Sequence, residues 1–153
     1  LADATRSHEE DEPRFRSHYL AARVARLQSR LALHRSRPTE ALPPLAQSAA
    51  TLEEAGLHRE RLNTLFEIAR LPPEAASLEA RVRAARGAWR IARGGGLLVP
   101  ERDALALRAQ FAREVGALDE AAAHEAVIAE IDEALAAGRS DPAPADATLA
   151  PSP

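Results

Sequence analysis

Large apolar residues recur in this sequence at the spacing of an α-helix, between prolines and glycines that end one segment and begin the next. In residues 14–36 they stand at steps of 4, 3 and 4: Leu20, Val24, Leu27 and Leu31. Steps of three and four place side chains on one face of a helix. Pro38 then interrupts the pattern, since proline cannot continue a helix interior. We therefore predict a first helix over 14–36 whose stripe faces a core.

The same spacing predicts five further helices. Their ranges are 39–55, 58–70, 74–93, 101–115 and 118–137. The residues predicted to face inward include Leu62, Leu65, Phe66, Ala69, Trp89, Leu105, Phe111, Val115, Ala121, Val127 and Ile131. Pro43 and Pro44 leave two alternatives for the second helix: they occupy the first turn of a helix that starts near Leu42, or they kink a longer one. The stretch "GGGLLV" at 94–99 is predicted to be a flexible connector that exposes Leu97, Leu98 and Val99.

Composition favours an all-α fold. Ala, Leu, Arg and Glu dominate, and aromatic residues make up only 3% of the chain, so strand-forming residues are scarce. All twenty basic residues are Arg, which suggests a GC-rich bacterial coding sequence. There is no Cys for a disulfide or a thiolate metal site, and apolar runs are too short to cross a bilayer. We expect a soluble protein, placed in the cytoplasm.

The two ends of the sequence differ from its centre. Residues 1–12 are polar and acidic without periodicity, and residues 138–153 hold four prolines, so we predict disorder in both segments. Residues 13–137 are predicted to form one helical domain. Because residue 1 is Leu, three alternatives are open: a fragment, such as part of a larger bacterial regulatory protein, a processed product, or a read from an alternative start codon.

Three pairs of Glu followed by Ala stand near predicted turns. They are Glu40 and Ala41, Glu74 and Ala75, and Glu120 and Ala121. Each follows a helix with two large apolar residues four apart: Leu27 and Leu31, Leu62 and Phe66, Leu107 and Phe111. The first two pairs lie 34 residues apart, and the third lies 46 further on. The helices thus group into hairpins over about 14–55, 58–93 and 101–137.

A helix-turn-helix period of 34 residues resembles the tetratricopeptide repeat. The resemblance implies three antiparallel hairpins stacked as a short right-handed solenoid, in which a small residue lets each second helix pack closely on the first. It also implies a groove lined by the first helix of each hairpin. The positions that would face a bound segment are Ser29, Glu60, Thr64, Glu67, Ala109 and Arg113. The first helices depart from the family's aromatic and small positions, so a plain six-helix bundle stays open as an alternative.

Charge is distributed unevenly along the chain although the net charge is only -3. Residues 13–39 hold seven Arg and no acid, residues 81–93 hold five Arg and no acid, and residues 101–135 hold nine acids and three Arg. Two stripes share a helix face: Arg23, Arg26, Arg30 and Arg37, and Arg83, Arg86, Arg90 and Arg93. Arginine stripes suit phosphates or acidic peptides, but they also serve to neutralise the acidic last hairpin or to solvate a helix.

No pattern points to catalysis, to a cofactor or to a metal site. The five His are not spaced three or four apart, and "RGGGLL" lacks the flanking strand and Lys of a phosphate loop. Overall acidity and the lack of aromatic interleaving disfavour nucleic acid. We predict a non-enzymatic adaptor or scaffold that binds another protein or peptide. The alternative is a structural helical bundle that acts by homo-oligomerisation.

Overall fold

The computed structural model describes residues 3–139, with side chains described from residue 15 to residue 138. It contains one 3-10 turn at Pro38–Glu40 and six α-helices. The helices are α1 (Asp3–His34), α2 (Leu42–Glu54), α3 (His58–Ala69), α4 (Leu78–Gly94), α5 (Leu98–Glu114) and α6 (Leu118–Arg139). No strand occurs in this part of the chain, so the all-α prediction is confirmed. None of these helices is long and apolar enough to span a bilayer.

Each helix packs against the next one along the chain, and α1 also contacts α3. More than half of the buried apolar residues are alanines, which allow helix axes to approach closely. The larger buried side chains come mainly from the middle of the chain, such as Leu45, Leu52, Leu62 and Phe66. Burial of such side chains is the main favourable term in folding.

Four helices end in the same way. The residues Ser36, Gly56, Gly96 and Gly116 have positive φ angles between 57° and 76°. After α2, the N–H of Leu57 donates to the carbonyl oxygen of Leu52 at 2.9 Å. That pairing, together with the left-handed residue before it, is the Schellman motif. Glycine suits this conformation because it lacks a Cβ, and the end of α1 adopts it with a serine.

The first residue of α2 decides between the two alternatives for Pro43 and Pro44, and the first residues of α4 and α5 differ from those predicted. Helix α2 begins at Leu42, so Pro43 and Pro44 lie in its first turn, as one alternative proposed. Helix α4 begins four residues later than predicted, because the Ser77 side chain accepts a hydrogen bond from the N–H of Ala80 and caps it. Helix α5 begins at Leu98, so the predicted connector is partly helical.

The first and last helices extend beyond the predicted domain limits of 13 and 137. Helix α1 begins at Asp3, whereas the sequence predicted disorder over 1–12; the side chains of this stretch are not described. Helix α6 continues to Arg139. The remainder of the predicted tail, residues 140–153, lies outside the described residues.

The core predictions succeed in α3, fail for the stripe of α1, and succeed in part in α6, where Ala121 and Ile131 are buried and Val127 is exposed. In α3, all four residues predicted to face inward are buried: Leu62, Leu65, Phe66 and Ala69. The three turn alanines, Ala41, Ala75 and Ala121, are buried as well. Val115 and Val127 were predicted to be inward but are exposed. Val115 follows the last residue of α5 as its C-cap, and Val127 lies on α6, which packs mainly against α5 among the described helices.

The largest correction concerns α1. Its apolar stripe was predicted to be core, but Leu20, Val24, Leu27 and Leu31 are 44% to 63% exposed. The buried side of the helix carries small residues instead: Ala22, Ala25, Ser29 and Ala32. These also follow a helical spacing, of 3, 4 and 3 residues, about half a turn away from the stripe. Helix α1 therefore packs through its small residues and turns its large ones outward.

Candidate interaction surface

The large apolar residues of α1 form a continuous exposed stripe, which we call the outer face of α1. Its members are Leu20, Val24, Leu27 and Leu31. Single exposed apolar residues are common on proteins, but contiguous ones mark interaction sites. The steps of 4, 3 and 4 match the a and d positions of a heptad, at which one helix packs along another. The outer face of α1 thus has the pattern of a helix-binding seam.

The side chains that flank this seam carry positive charge. Arg23 and Arg30 occupy the heptad positions on one side, and Arg35 lies on the other. All three are exposed. Arg23 and Arg35 make no ion pair within the described part of the chain, whereas Arg30 pairs with Glu67 of α3. Charges at flanking heptad positions set partner choice in coiled coils, and those beside the outer face of α1 are positive.

Contacts with α3 hold α1 in this orientation. The guanidinium of Arg26 donates to the Glu60 carboxylate at 3.1 Å, and both side chains are largely buried. The exposed hydroxyl of Tyr19 also interacts with Glu60, and the hydrogen bond to that carboxylate is the main cause that raises the Tyr19 pKa. A buried carboxylate needs such partners, since leaving it unpaired is costly. Rotating α1 to bury its leucines would separate Arg26 from Glu60.

Four of the residues expected to face a bound segment are inside the protein. Ser29, Glu60 and Thr64 are each at most 5% exposed. Ser29 lies on the packed side of α1, and the Thr64 hydroxyl donates to the carbonyl oxygen of Glu60 in its own helix. Ala109 is buried in α5. These four positions correct the expectation from the resemblance, because side chains buried in this way are not exposed to a bound segment.

The other two expected residues, Glu67 and Arg113, are accessible to solvent. They belong to two separate ion pairs and do not form one site. Glu67 pairs with Arg30 of α1, and this ion pair is the main cause that raises the Arg30 pKa. Arg113 of α5 pairs with Glu125 of α6. Each of these side chains thus joins two neighbouring helices of the protein itself.

The arginine stripe on α1 is largely neutralised inside the domain. Arg26 and Arg30 pair with α3, and Arg37 lies 3.7 Å from Glu40. Only Arg23 of that stripe lacks an ion pair among the described residues. The partners come from the first two hairpins rather than from the acidic third one, which corrects the neutralisation that the sequence suggested.

The stripe on α4 keeps more of its charge free. Arg83 pairs with Glu79 one turn away, but Arg86 and Arg90 have no ion pair among the described residues. Both lie near Arg108 of α5: burial lowers the Arg108 pKa, and the charges of Arg86 and Arg90 lower it further.

Two further arginines, one of α4 and one of α5, lie against the ring of Trp89. The guanidinium groups of Arg93 and Arg108 lie 5.1 and 4.9 Å from the centre of the Trp89 ring. Such distances allow cation–π attraction. This basic surface lies on α4 and α5, apart from the outer face of α1.

Comparison with protein-family models, with curated proteins and with solved structures finds no match to this chain. Among the residues with described side chains, no group of three or more His, Asp or Glu could hold a metal ion. The exposure of the outer face of α1 was not predicted, because the helical spacing of its large apolar residues is also that of a core stripe. The available signal was the second stripe, of Ala and Ser, on the opposite side of the same helix.

Proposed function

We propose that this protein is a non-enzymatic interaction module whose binding surface is the outer face of α1. The observation that carries the proposal is the exposure of four large apolar side chains at heptad spacing. Because these side chains stay in water when the protein folds, their burial can still stabilise a complex. Each such side chain contributes about 1.5 to 3 kcal/mol when it is fully removed from water.

The partner that fits is an amphipathic helix with acidic flanks. Its apolar residues would interleave with the outer face of α1, and its carboxylates would lie beside Arg23 and Arg35. A second α1 is a poor partner, since its own arginines would meet these arginines and like charges destabilise the pairing. The charge pattern therefore favours a partner helix other than a second copy of α1.

We further infer that the six helices form three stacked hairpins, in the manner of a short repeat solenoid. The support is that Arg26 and Glu60, which pair across α1 and α3, are 34 residues apart. This separation equals the first sequence period, so equivalent positions of successive units meet. In such a stack each unit contacts only its neighbours, and α1 contacts α2, α3 and the 3-10 turn on one side, which leaves its outer face free.

A synthetic peptide tests the proposed binding. The probe is a four-heptad helix with Leu at a and d and Glu at e and g, labelled for fluorescence anisotropy. We expect saturable binding to the protein that weakens as salt rises, because ions screen exposed charges. A peptide of the same pattern with Lys in place of Glu is expected not to bind, and equal binding of both peptides would contradict the assigned partner chemistry.

Matched substitutions locate the surface. Leu27→Glu places a charge in the middle of the outer face of α1 and is expected to abolish binding of the acidic peptide. Val115→Glu introduces the same charge at another exposed apolar residue, at the end of α5, and is expected to leave binding unchanged. Circular dichroism checks that both variants stay helical. If Val115→Glu weakens binding as strongly as Leu27→Glu, the outer face of α1 is not the site.

Homo-oligomerisation is a second candidate, favoured by the charge of α6. Residues 118–138 hold six acids and no Arg, and Leu118 and Val127 are exposed. The α6 of one copy could therefore supply the acidic helix for the α1 of another. Light scattering over a range of concentrations tests this: a mass that rises with concentration and falls back with Leu27→Glu supports it. A monomer at every concentration removes it and leaves the peptide-binding proposal intact.

A further inference from the structure

A buried arginine stands beside an open cleft at the junction of α3, α4 and α5. Arg81 is only 7% exposed and is the one arginine with a described side chain that is buried to this degree. It lies near the start of α4, four residues after the capping Ser77. A positive charge there is unfavourable, because the helix dipole is positive at its N-terminus. Burial adds a further cost, since a guanidinium loses its water.

The surrounding protein compensates this charge only in part. The nearest carboxylate oxygen, from Glu114, is 3.7 Å from the Arg81 Nη2 atom, beyond hydrogen-bond length. The guanidinium also lies 5.2 Å from the centre of the Phe111 ring. Its Nε atom is buried and has no hydrogen-bond partner among the described residues. The buried Arg26–Glu60 pair, at 3.1 Å, shows what a satisfied arginine looks like in the same protein.

The cleft next to Arg81 has room for a small anionic group. Its volume is about 390 Å³, and its walls come from the end of α3, the following proline turn and α5. Arg70 adds a second guanidinium, which makes no ion pair with any described residue. Gln110 lines the same cleft and donates a hydrogen bond to Glu114 at 3.1 Å. Glu114 is partly exposed, so it can turn away when another anion approaches Arg81.

We propose that the cleft between Arg81 and Arg70 binds an oxyanion, namely a carboxylate or a phosphate group. The planar fork of a guanidinium donates two parallel hydrogen bonds to two oxygens of such a group. A bound oxyanion would accept hydrogen bonds from the Arg81 guanidinium, whose Nη2 atom lies 3.7 Å from the nearest carboxylate oxygen. The site is separate from the outer face of α1 and does not depend on the function proposed for that face.

Nuclear magnetic resonance of the arginine Nε–H groups tests the site directly. Inorganic phosphate and a short peptide with a free C-terminal carboxylate are titrated separately, at constant ionic strength held with chloride. The amidated form of the peptide is the control. We expect the Arg81 Nε–H signal to move and saturate with phosphate, with the free-acid peptide, or with both. The pattern tells whether the site takes the free ion or a peptide carboxylate. No movement with either probe would overturn the proposal.

Substitutions distinguish hydrogen bonding by the planar guanidinium from attraction by positive charge alone. Arg81→Met is expected to weaken binding about tenfold or more, as loss of a charge-assisted hydrogen bond predicts, and to abolish the rise in melting temperature that the bound anion gives. Arg81→Lys keeps the charge but loses the fork, so it is expected to bind less well than the parent. Arg90→Met removes an exposed arginine of the same helix that has no ion pair among the described residues. Equal weakening by Arg90→Met would show general attraction to positive charge and would reject the site.

Discussion

Helices α1 and α3 carry large apolar residues at the same helical spacing, yet they bury opposite kinds of side chain. In α3 the large residues Leu62, Leu65 and Phe66 are buried, whereas in α1 the leucines face outward and Ala22 and Ala25 are buried. The two helices also contact each other, through the Arg26–Glu60 pair and the Arg30–Glu67 pair among others. Spacing therefore fixes the helix, while its neighbours decide which face is buried.

The difference follows from the number of neighbours that each helix has. Helix α3 packs against α1, α2 and α4, so it is enclosed on several sides and needs large residues to fill the space. Helix α1 packs against α2, α3 and the 3-10 turn at Pro38–Glu40. Small residues let it approach α2 and α3 closely, and its remaining side stays exposed. Whether a leucine is buried or exposed thus depends on its environment rather than on the sequence pattern.

The same substitution in the two helices gives the largest expected contrast. Leu62→Ala in α3 creates a cavity in the core, and we expect it to lower the free energy of unfolding by about 2 to 5 kcal/mol. Leu27→Ala in α1 removes a side chain that is 63% exposed, so we expect a change within about 0.5 kcal/mol. Chemical denaturation of both variants measures this. A large loss for Leu27→Ala would mean that the outer face of α1 is covered in the folded protein.

Two ion pairs between α1 and α3 give the next contrast. Glu60→Gln leaves Arg26 largely buried without a carboxylate, and we expect a loss of about 3 kcal/mol. Glu67→Gln removes the more exposed pair with Arg30, for which we expect a loss of at most about 1 kcal/mol. The same denaturation experiment compares them. Equal losses would show that the Arg26–Glu60 pair is exposed to water, and that α1 packs less tightly than described.

Local signals in the sequence predicted most helices of this fold, because caps, glycines and prolines act over a few residues. Pro43 and Pro44 marked the first turn of α2, and Gly56 and Gly116 marked two helix ends. Local signals could not predict which face of α1 is buried. Its leucine stripe and its alanine stripe both have helical spacing, and choosing between them requires the positions and side chains of α2 and α3. The pairing of Arg26 with Glu60 likewise depends on chain folding, although their separation of one period hinted at it.

The ends of α1 and α2 offer a smaller contrast. Both use a residue with positive φ, but α1 uses Ser36 and α2 uses Gly56. A residue with a Cβ in this conformation costs roughly 1 to 2 kcal/mol, so Ser36→Gly is expected to raise the free energy of unfolding by about 1 kcal/mol. Gly56→Ala is expected to lower it by a similar amount through the backbone alone, since nothing lies within 4 Å of the added Cβ. Thermal denaturation of the two variants should shift in opposite directions. Shifts in the same direction would show that contacts outside the backbone control these turns.

The titration of Tyr19 reports the seating of α1 on α3 without altering stability much. Its pKa is raised, chiefly by the hydrogen bond to Glu60 and then by the negative charge of that carboxylate. Because the folded pKa exceeds the unfolded value near 10, the contact contributes below about pH 10 and is lost as pH rises through the raised pKa. Tyr19 is the single tyrosine, so the ultraviolet absorbance of its phenolate follows it alone. Glu60→Gln is expected to lower the midpoint and Glu67→Gln to leave it in place; an unchanged midpoint in Glu60→Gln would mean that Tyr19 does not reach α3.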